Sequence, residues 1–185
     1  TATLGMMLSG PLSDRIGRRP VLRIAAVLFA VSAIASAAAP TFLTLVLARM
    51  IGGLGVGAAL IVAPMYIAEI APPESRGRLV SFNQLNIVIG ISTAFFSNYL
   101  ILSLGEQKLA WTEILRLAEW NWRWMLGIET LPALLYLVAL LFVPESPRWL
   151  VMQGRDDEAR AVVSRIRGSE QSAALLAQVH ESLEA

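Results

Sequence analysis

An all-α, multi-pass membrane fold is predicted by three features of this chain: its apolar content, its apolar runs of bilayer length, and charges gathered into short connections. Of the 185 residues, 56% are hydrophobic and 16% charged. Soluble domains average about 45–50% apolar residues. A crossing helix takes about 20 residues, so the length allows four or five crossings and a short soluble segment. Thr1 begins the chain with no basic stretch before it, and the first residues already read as the tail of a helix. The chain is therefore expected to be a fragment of a larger protein.

The elements follow in order. Thr1 to Gly10 reads as the end of a first crossing (1–10), and Gly10 to Pro20 as a tight connection in which Gly17 is free to take positive φ. Val21 to Ala39 is a second apolar run, closed by Pro40-Thr41. Phe42 to Ala71 is apolar apart from Arg49 and Glu69, and Pro72-Pro73 cannot continue it. Leu79 to Leu104 carries no charge and makes a fourth crossing with a rather polar interior. A loop holding Lys108, Trp111, Arg116, Trp120, Trp122 and Trp124 leads to a fifth, Met125 to Val143. Residues 1–143 thus form a partial transmembrane bundle. In 144–185, Ser146 caps a short helix, Pro147 fills its first position and Gly154 stops it. Asp156 to Arg167, ended by Gly168, follows with Ala159, Val162, Val163 and Ile166 at helical spacing. Leu175, Leu176, Val179 and Leu183 repeat the pattern in a last segment.

Orientation follows from the basic residues. Arg15, Arg18, Arg19, Arg23, Arg76, Arg78, Arg148, Arg155, Arg160, Arg165 and Arg167 share one side, whereas Lys108, Arg116 and Arg123 face the other. The richer side is expected to be cytoplasmic, placing 11–20, 72–78 and 144–185 inside an inner or plasma membrane, with the tryptophans at the outer interface.

Some function classes fall away. A net charge of +1 leaves no basic face for nucleic acid. The absence of cysteine removes disulfides, thiolate metal sites and thiol chemistry. The single histidine, His180, reads as a solvated surface residue, no phosphate-cradling loop follows a strand, and the acids sit at membrane edges. Neither catalysis nor a cofactor or metal is expected.

The charges carry the remaining signal. Basic loops kept inside account for Arg15, Arg18 and Arg19 but leave Asp14 and Gly17 unexplained. A clasp that binds neighbouring helix ends in one conformation and releases them in another accounts for all of them. Glu69, at a helix end, and Arg76 and Arg78, just past the Pro-Pro break, can pair only if the chain doubles back. Glu145 and Arg148 repeat the acid-plus-base theme, and an ordinary helix start is the simpler account of them. Three such clusters on one face favour a charge network between helices. Arg49 lies about 10 Å into its helix, where a charge needs a partner. No acid is read at that depth, so the partner is expected in a crossing outside the chain.

Gly52, Gly53, Gly55 and Gly57 smooth the same helix, with Gly53 and Gly57 at GxxxG spacing for close packing. In the fourth crossing, Gln84, Ile91, Phe95 and Asn98 share one face, and Asn83, Gly90, Ala94 and Ser97 an adjacent one. Amides facing lipid would be left unpaired, so these stripes should face helices or a watery cavity. Hydrogen bonding between helices is the ordinary account. A polar, uncharged stripe is also what a hydroxyl-rich ligand requires.

In this order and at these separations, GPLSDRIGRR, RMIGGLGVG, PMYIAEIAPPESRG, SFNQL and VPESPRWL resemble the sugar porter branch of the major facilitator superfamily. The resemblance covers nearly the whole chain. It implies helices two to six of a twelve-helix fold built from two six-helix halves, plus cytoplasmic joining helices, working by alternating access. It implies a monosaccharide substrate and, in some members, protons as coupling ion; the first helix and the C-terminal half would be the chain's partners, within a lipid bilayer. The family's sugar-binding glutamine falls on Gln84, and a second one found in some xylose-binding members is Ile91 here. The family's charge network, which holds the outward-facing state, falls on Asp14, Arg18, Arg19, Glu69, Arg76, Glu145 and Arg148. Its fourth-helix arginine, which faces a first-helix aspartate in proton-coupled members, falls on Arg49. A porter for a polyol, inositol or organic acid, and a sugar receptor that does not transport, are the alternatives on this scaffold.

Overall fold

The computed structural model describes residues 1–72, 75–107, 112 and 114–167. Pro73, Lys108, Trp111, Gly168, His180 and the last amphipathic segment lie outside the described residues, which hold helices and no strand. In chain order these are α1 (Ala2–Ile16), α2 (Arg18–Ala38), α3 (Phe42–Ile70), α4 (Arg76–Glu106), α5 (Asn121–Gly127), α6 (Thr130–Phe142), α7 (Pro147–Met152) and α8 (Asp156–Arg167).

Four stretches are long and apolar enough to cross a membrane: α2, α3, α4 and the α5–α6 pair. Helices α3 and α4, at 29 and 31 residues, run to about 45 Å, well beyond a hydrocarbon core of about 30 Å. The connections are accordingly shorter than the sequence suggests. Instead of a turn over 10–20, α1 passes through Pro11 to Ile16, and Gly17 alone separates it from α2. Gly17 holds φ 103 and ψ 160, a region that L side chains rarely adopt. At the far end of α3, α4 starts at Arg76 rather than Leu79. The fifth run is two helices. Pro132 has no N–H for the Ile128 carbonyl, which accepts from Leu131 at 3.2 Å instead, and the chain turns at Ile128-Glu129.

Helix α3 is the hub, packed against α1 and α2, while α5 and α6 pack on α2. Close approach is achieved by bare backbone. A methyl group at Gly57 would land on Ala2 and Met6, one at Gly53 on Thr1, and one at Gly55 would lie 2.9 Å from the Ala25 carbonyl. The Gly53/Gly57 spacing thus marks the α1 seam, and Gly52 and Gly55 the α2 seam. Where the helices meet, Val21, Leu22, Ala26, Val62 and Leu140 form the core. Trp149, Leu150, Val151 and Ala159 form a second, smaller core between α7 and α8. Helix α4 buries no residue. Phe95 on α4 and Phe142 on α6 are 74% and 83% exposed, which suits lipid or further protein rather than water.

Candidate functional site

Two polar constellations stand out, one at each end of the bundle. At the α1–α2 junction, the Arg18 side chain is almost completely buried. Its Nη1 pairs with Asp14 Oδ1 at 2.9 Å and donates to the Ser13 carbonyl at 2.9 Å. Its Nε and Nη2 fork onto Glu69 at 3.1 and 3.0 Å. This is planar, charge-assisted recognition that only a guanidinium supplies.

Glu145 does something different. Its carboxylate accepts from the backbone N–H of Arg18 at 3.0 Å and of Arg19 at 3.1 Å, and from Ser146 N at 2.9 Å. It therefore caps the positive end of α2 with an acid supplied from more than a hundred residues away. Gly17 makes the approach possible, because a Cβ there would stand 2.5 Å from Glu145 Oε2.

The opposite charge is matched as well. Arg19 Nη2 donates to the Leu141 carbonyl at 2.7 Å and Arg23 Nε to that of Leu140 at 3.3 Å. These are carbonyls of the last turn of α6, where cations are favoured. Tyr66 hydroxyl to Pro144 O at 2.7 Å and Trp149 Nε1 to Asp14 O at 2.9 Å complete the attachment of 140–149 to α1, α2 and α3.

Of the seven predicted network residues, five meet here: Asp14, Arg18, Arg19, Glu69 and Glu145. Arg76 and Arg148 are exposed and form no ion pair among the described residues. Glu69 turns toward Arg18 rather than doubling back to Arg76 or Arg78. Glu145 turns to the α2 backbone rather than to Arg148. Arg23, Tyr66 and Trp149 were not singled out in the sequence. A third basic residue one turn into α2 was the only available signal.

At the other end, Arg49 forks onto Glu129, with Nη1 to Oε2 at 2.8 Å and Nη2 to Oε1 at 3.2 Å. This corrects the expectation that no acid within the chain reaches its depth. Arg49 lies seven residues into α3 and Glu129 eight residues after the start of α5, in runs that begin at the same end of the bundle and go the same way. Both are therefore about 10–12 Å deep. Each remains nearly half exposed. The pair lines a cavity of about 470 Å³ between α2, α3 and α6.

Gln84 is exposed on α4 and makes no hydrogen bond among the described residues, whereas Asn83 and Asn86 line a cavity of about 440 Å³ with Tyr66 and Ile70. On the side opposite the Arg18 cluster, Arg123 stacks on Trp120 and Trp122, 5.5 and 4.8 Å from their ring centres, and donates to the Ala39 carbonyl at 3.1 Å. It caps the end of α2 left open by the short Pro40-Thr41 turn.

Long apolar helices meeting through glycine seams, with charges confined to helix ends and one deep ion pair, define a multi-pass helical membrane protein. Residues 1–185 match the family described as Sugar (and other) transporter, and the chain belongs to that family. The sequence is 41% identical over 180 residues to the arabinose-proton symporter of Bacillus subtilis, covering 97% of this chain and 37% of that protein. It is 38% identical over 199 residues to the D-xylose-proton symporter of Escherichia coli, covering 98% and 39%. The partially occluded, inward-open structure of the E. coli xylose transporter XylE superposes with a TM-score of 0.86 at 37% identity, over 99% of this chain and 46% of that one. The major facilitator fold and the sugar porter resemblance are thereby confirmed. The chain spans less than half the length of these relatives.

Proposed function

We propose that this chain is part of a proton-coupled monosaccharide transporter that works by alternating access in an inner or plasma membrane. The observation that carries the reading is the Arg49–Glu129 pair, an ionisable couple held deep in the bundle of a chain whose relatives include proton symporters of pentoses. A carboxylate paired with an arginine at that depth ties its charge to the position of the partner, which is what coupling to a conformational change demands. Gln84, with donor and acceptor groups free on the outer face of α4, would bind sugar hydroxyls. The Arg18 cluster would act as the rigid part of the cytoplasmic gate, since all its described partners lie in this half. Arg76 and Arg148, exposed on the same side, would supply the pairs that form and break across to the other half. The α1–α2 junction over 11–20, the connection 72–78 and the segment 144–185 would be cytoplasmic, as their arginines require.

Coupling can be tested separately from binding. One proton falling through about 100 mV carries about 2.3 kcal/mol, enough for roughly 50-fold sugar accumulation. In proteoliposomes of the complete transporter, Glu129→Gln should abolish that accumulation yet retain sugar counterflow. Its amide still reaches Arg49 but cannot titrate. Accumulation unchanged in Glu129→Gln would refute the coupling role.

A further inference from the structure

The four residues between α6 and α7 have little freedom. Val143 is extended at φ −78, ψ 131 and Ser146 at φ −65, ψ 127, and each precedes a proline, which disfavours the helical region there. The pyrrolidine ring fixes φ of Pro144 as well. The soft dihedrals left in this strap are ψ of Pro144 and the φ and ψ of Glu145. Turning ψ of Pro144 against φ of Glu145 rotates the planar peptide between them and swings the Glu145 side chain toward or away from the start of α2.

Tyr66 of α3 holds that peptide. Its hydroxyl donates to the Pro144 carbonyl at 2.7 Å, and its ring packs on the buried cluster of Val21, Leu22, Ala26, Val62 and Leu140. A half-buried phenol ordinarily finds a hydrogen-bond partner. The acceptor is what sets this bond apart, because it is the one carbonyl whose direction reports how the strap is turned. With the peptide held so, the Glu145 carboxylate accepts from the N–H of Arg18 at 3.0 Å and of Arg19 at 3.1 Å. Three residues after Tyr66, Glu69 holds the Arg18 guanidinium. One turn of α3 thus grips the start of α2 twice, directly through Glu69 and through the strap by way of Tyr66. Every partner in this circuit belongs to the chain itself.

We propose that Tyr66 is a positioning residue for Glu145: its hydroxyl pins the Pro144–Glu145 peptide and thereby seats the carboxylate on the first amides of α2. The bearing of this seat on a cytoplasmic gate rests on the transport reading above, whereas the seat itself does not.

Amide hydrogen exchange tests it, because the N–H groups of Arg18 and Arg19 open a helix and have no acceptor within it. In the complete transporter in lipid nanodiscs, both amides should be protected in the wild type. Tyr66→Phe, which keeps the ring and removes the donor, should speed their exchange by about fivefold, as the loss of one hydrogen bond implies. Ala25 to Ala33, in the middle of α2, should not change. 4-Aminophenylalanine at position 66, which restores a donor, should restore protection. In a Glu145→Ala background, Tyr66→Phe should add nothing. Wild-type amides that exchange freely overturn the proposal, and so does a Tyr66→Phe variant that exchanges as the wild type does. A rise spread evenly through α2 also overturns it, since that reports lost packing rather than a lost seat. Should Tyr66→Phe fail to fold, 4-fluorophenylalanine at position 66, close to the phenol in size and without a donor, decides by the same amides. The readout involves no transport, so its failure and that of the transport reading are separable.

Discussion

Replacing Arg18 with alanine is expected to destabilise the protein by about 3–5 kcal/mol, the cost of stranding a buried charge. The three arms of Arg18 do not contribute equally. Asp14 is 57% exposed at its side chain, so that arm is a surface pair contributing about 0–1 kcal/mol. Glu69 is 10% exposed and takes two donors from the guanidinium. Without Arg18 its carboxylate would sit in a poorly solvated site with no counter-charge, and the Ser13 carbonyl would lose its donor. Asp14→Asn should therefore cost little, Arg18→Lys should lose the fork, and Arg18→Ala should be severe. The double variant Arg18→Ala/Glu69→Ala should recover much of the loss, because it removes the stranded acid. Thermal unfolding of the four variants in one detergent checks the order. A mild Arg18→Ala would mean that the cluster does not hold the helix ends.

Gly17→Ala is the second large effect, about 2–4 kcal/mol from two separable sources. The backbone at φ 103, ψ 160 costs an L residue about 1–3 kcal/mol. The new methyl also displaces Glu145 from the α2 N-terminus, and losing a cap costs about 0.5–2 kcal/mol. The split is measurable. In a Glu145→Ala background only the backbone cost should remain, so the two substitutions together should cost less than their sum. Strict additivity would show that Gly17 and Glu145 act independently.

The helices were legible because apolar length is a one-dimensional property. Val21 to Ala39 matches α2 nearly end to end, Asp156 to Arg167 is α8, and Ser146 and Pro147 open α7 as their chemistry requires. The turns were less so. Arg18 and Arg19 read as loop residues because charge suggests solvent, yet a glycine with positive φ lets one helix follow another without a loop, and both arginines belong to α2. The site was legible as a composition rather than as pairs. Asp14, Glu69, Glu145 and their arginines were visible as a set, but the choice of Arg18 over Arg76 as partner of Glu69 depends on the rotation and exit angle of α3 and α4. Glu129 was missed because the fifth crossing was started at Met125, only four residues before it, whereas the helical run begins at Asn121 and carries Glu129 a further turn in. The stripe on α4 was legible as polar from residue identity alone, and α4 as a whole buries no residue among the described ones.

The most direct test of the transport reading is counterflow of labelled xylose, arabinose and glucose by the complete transporter in proteoliposomes, with and without Gln84→Ala. Counterflow of at least one of these sugars in the wild type, lost in folded Gln84→Ala, is the predicted result. Folded wild-type protein that exchanges none of them, or a Gln84→Ala variant that exchanges them as the wild type does, would contradict it.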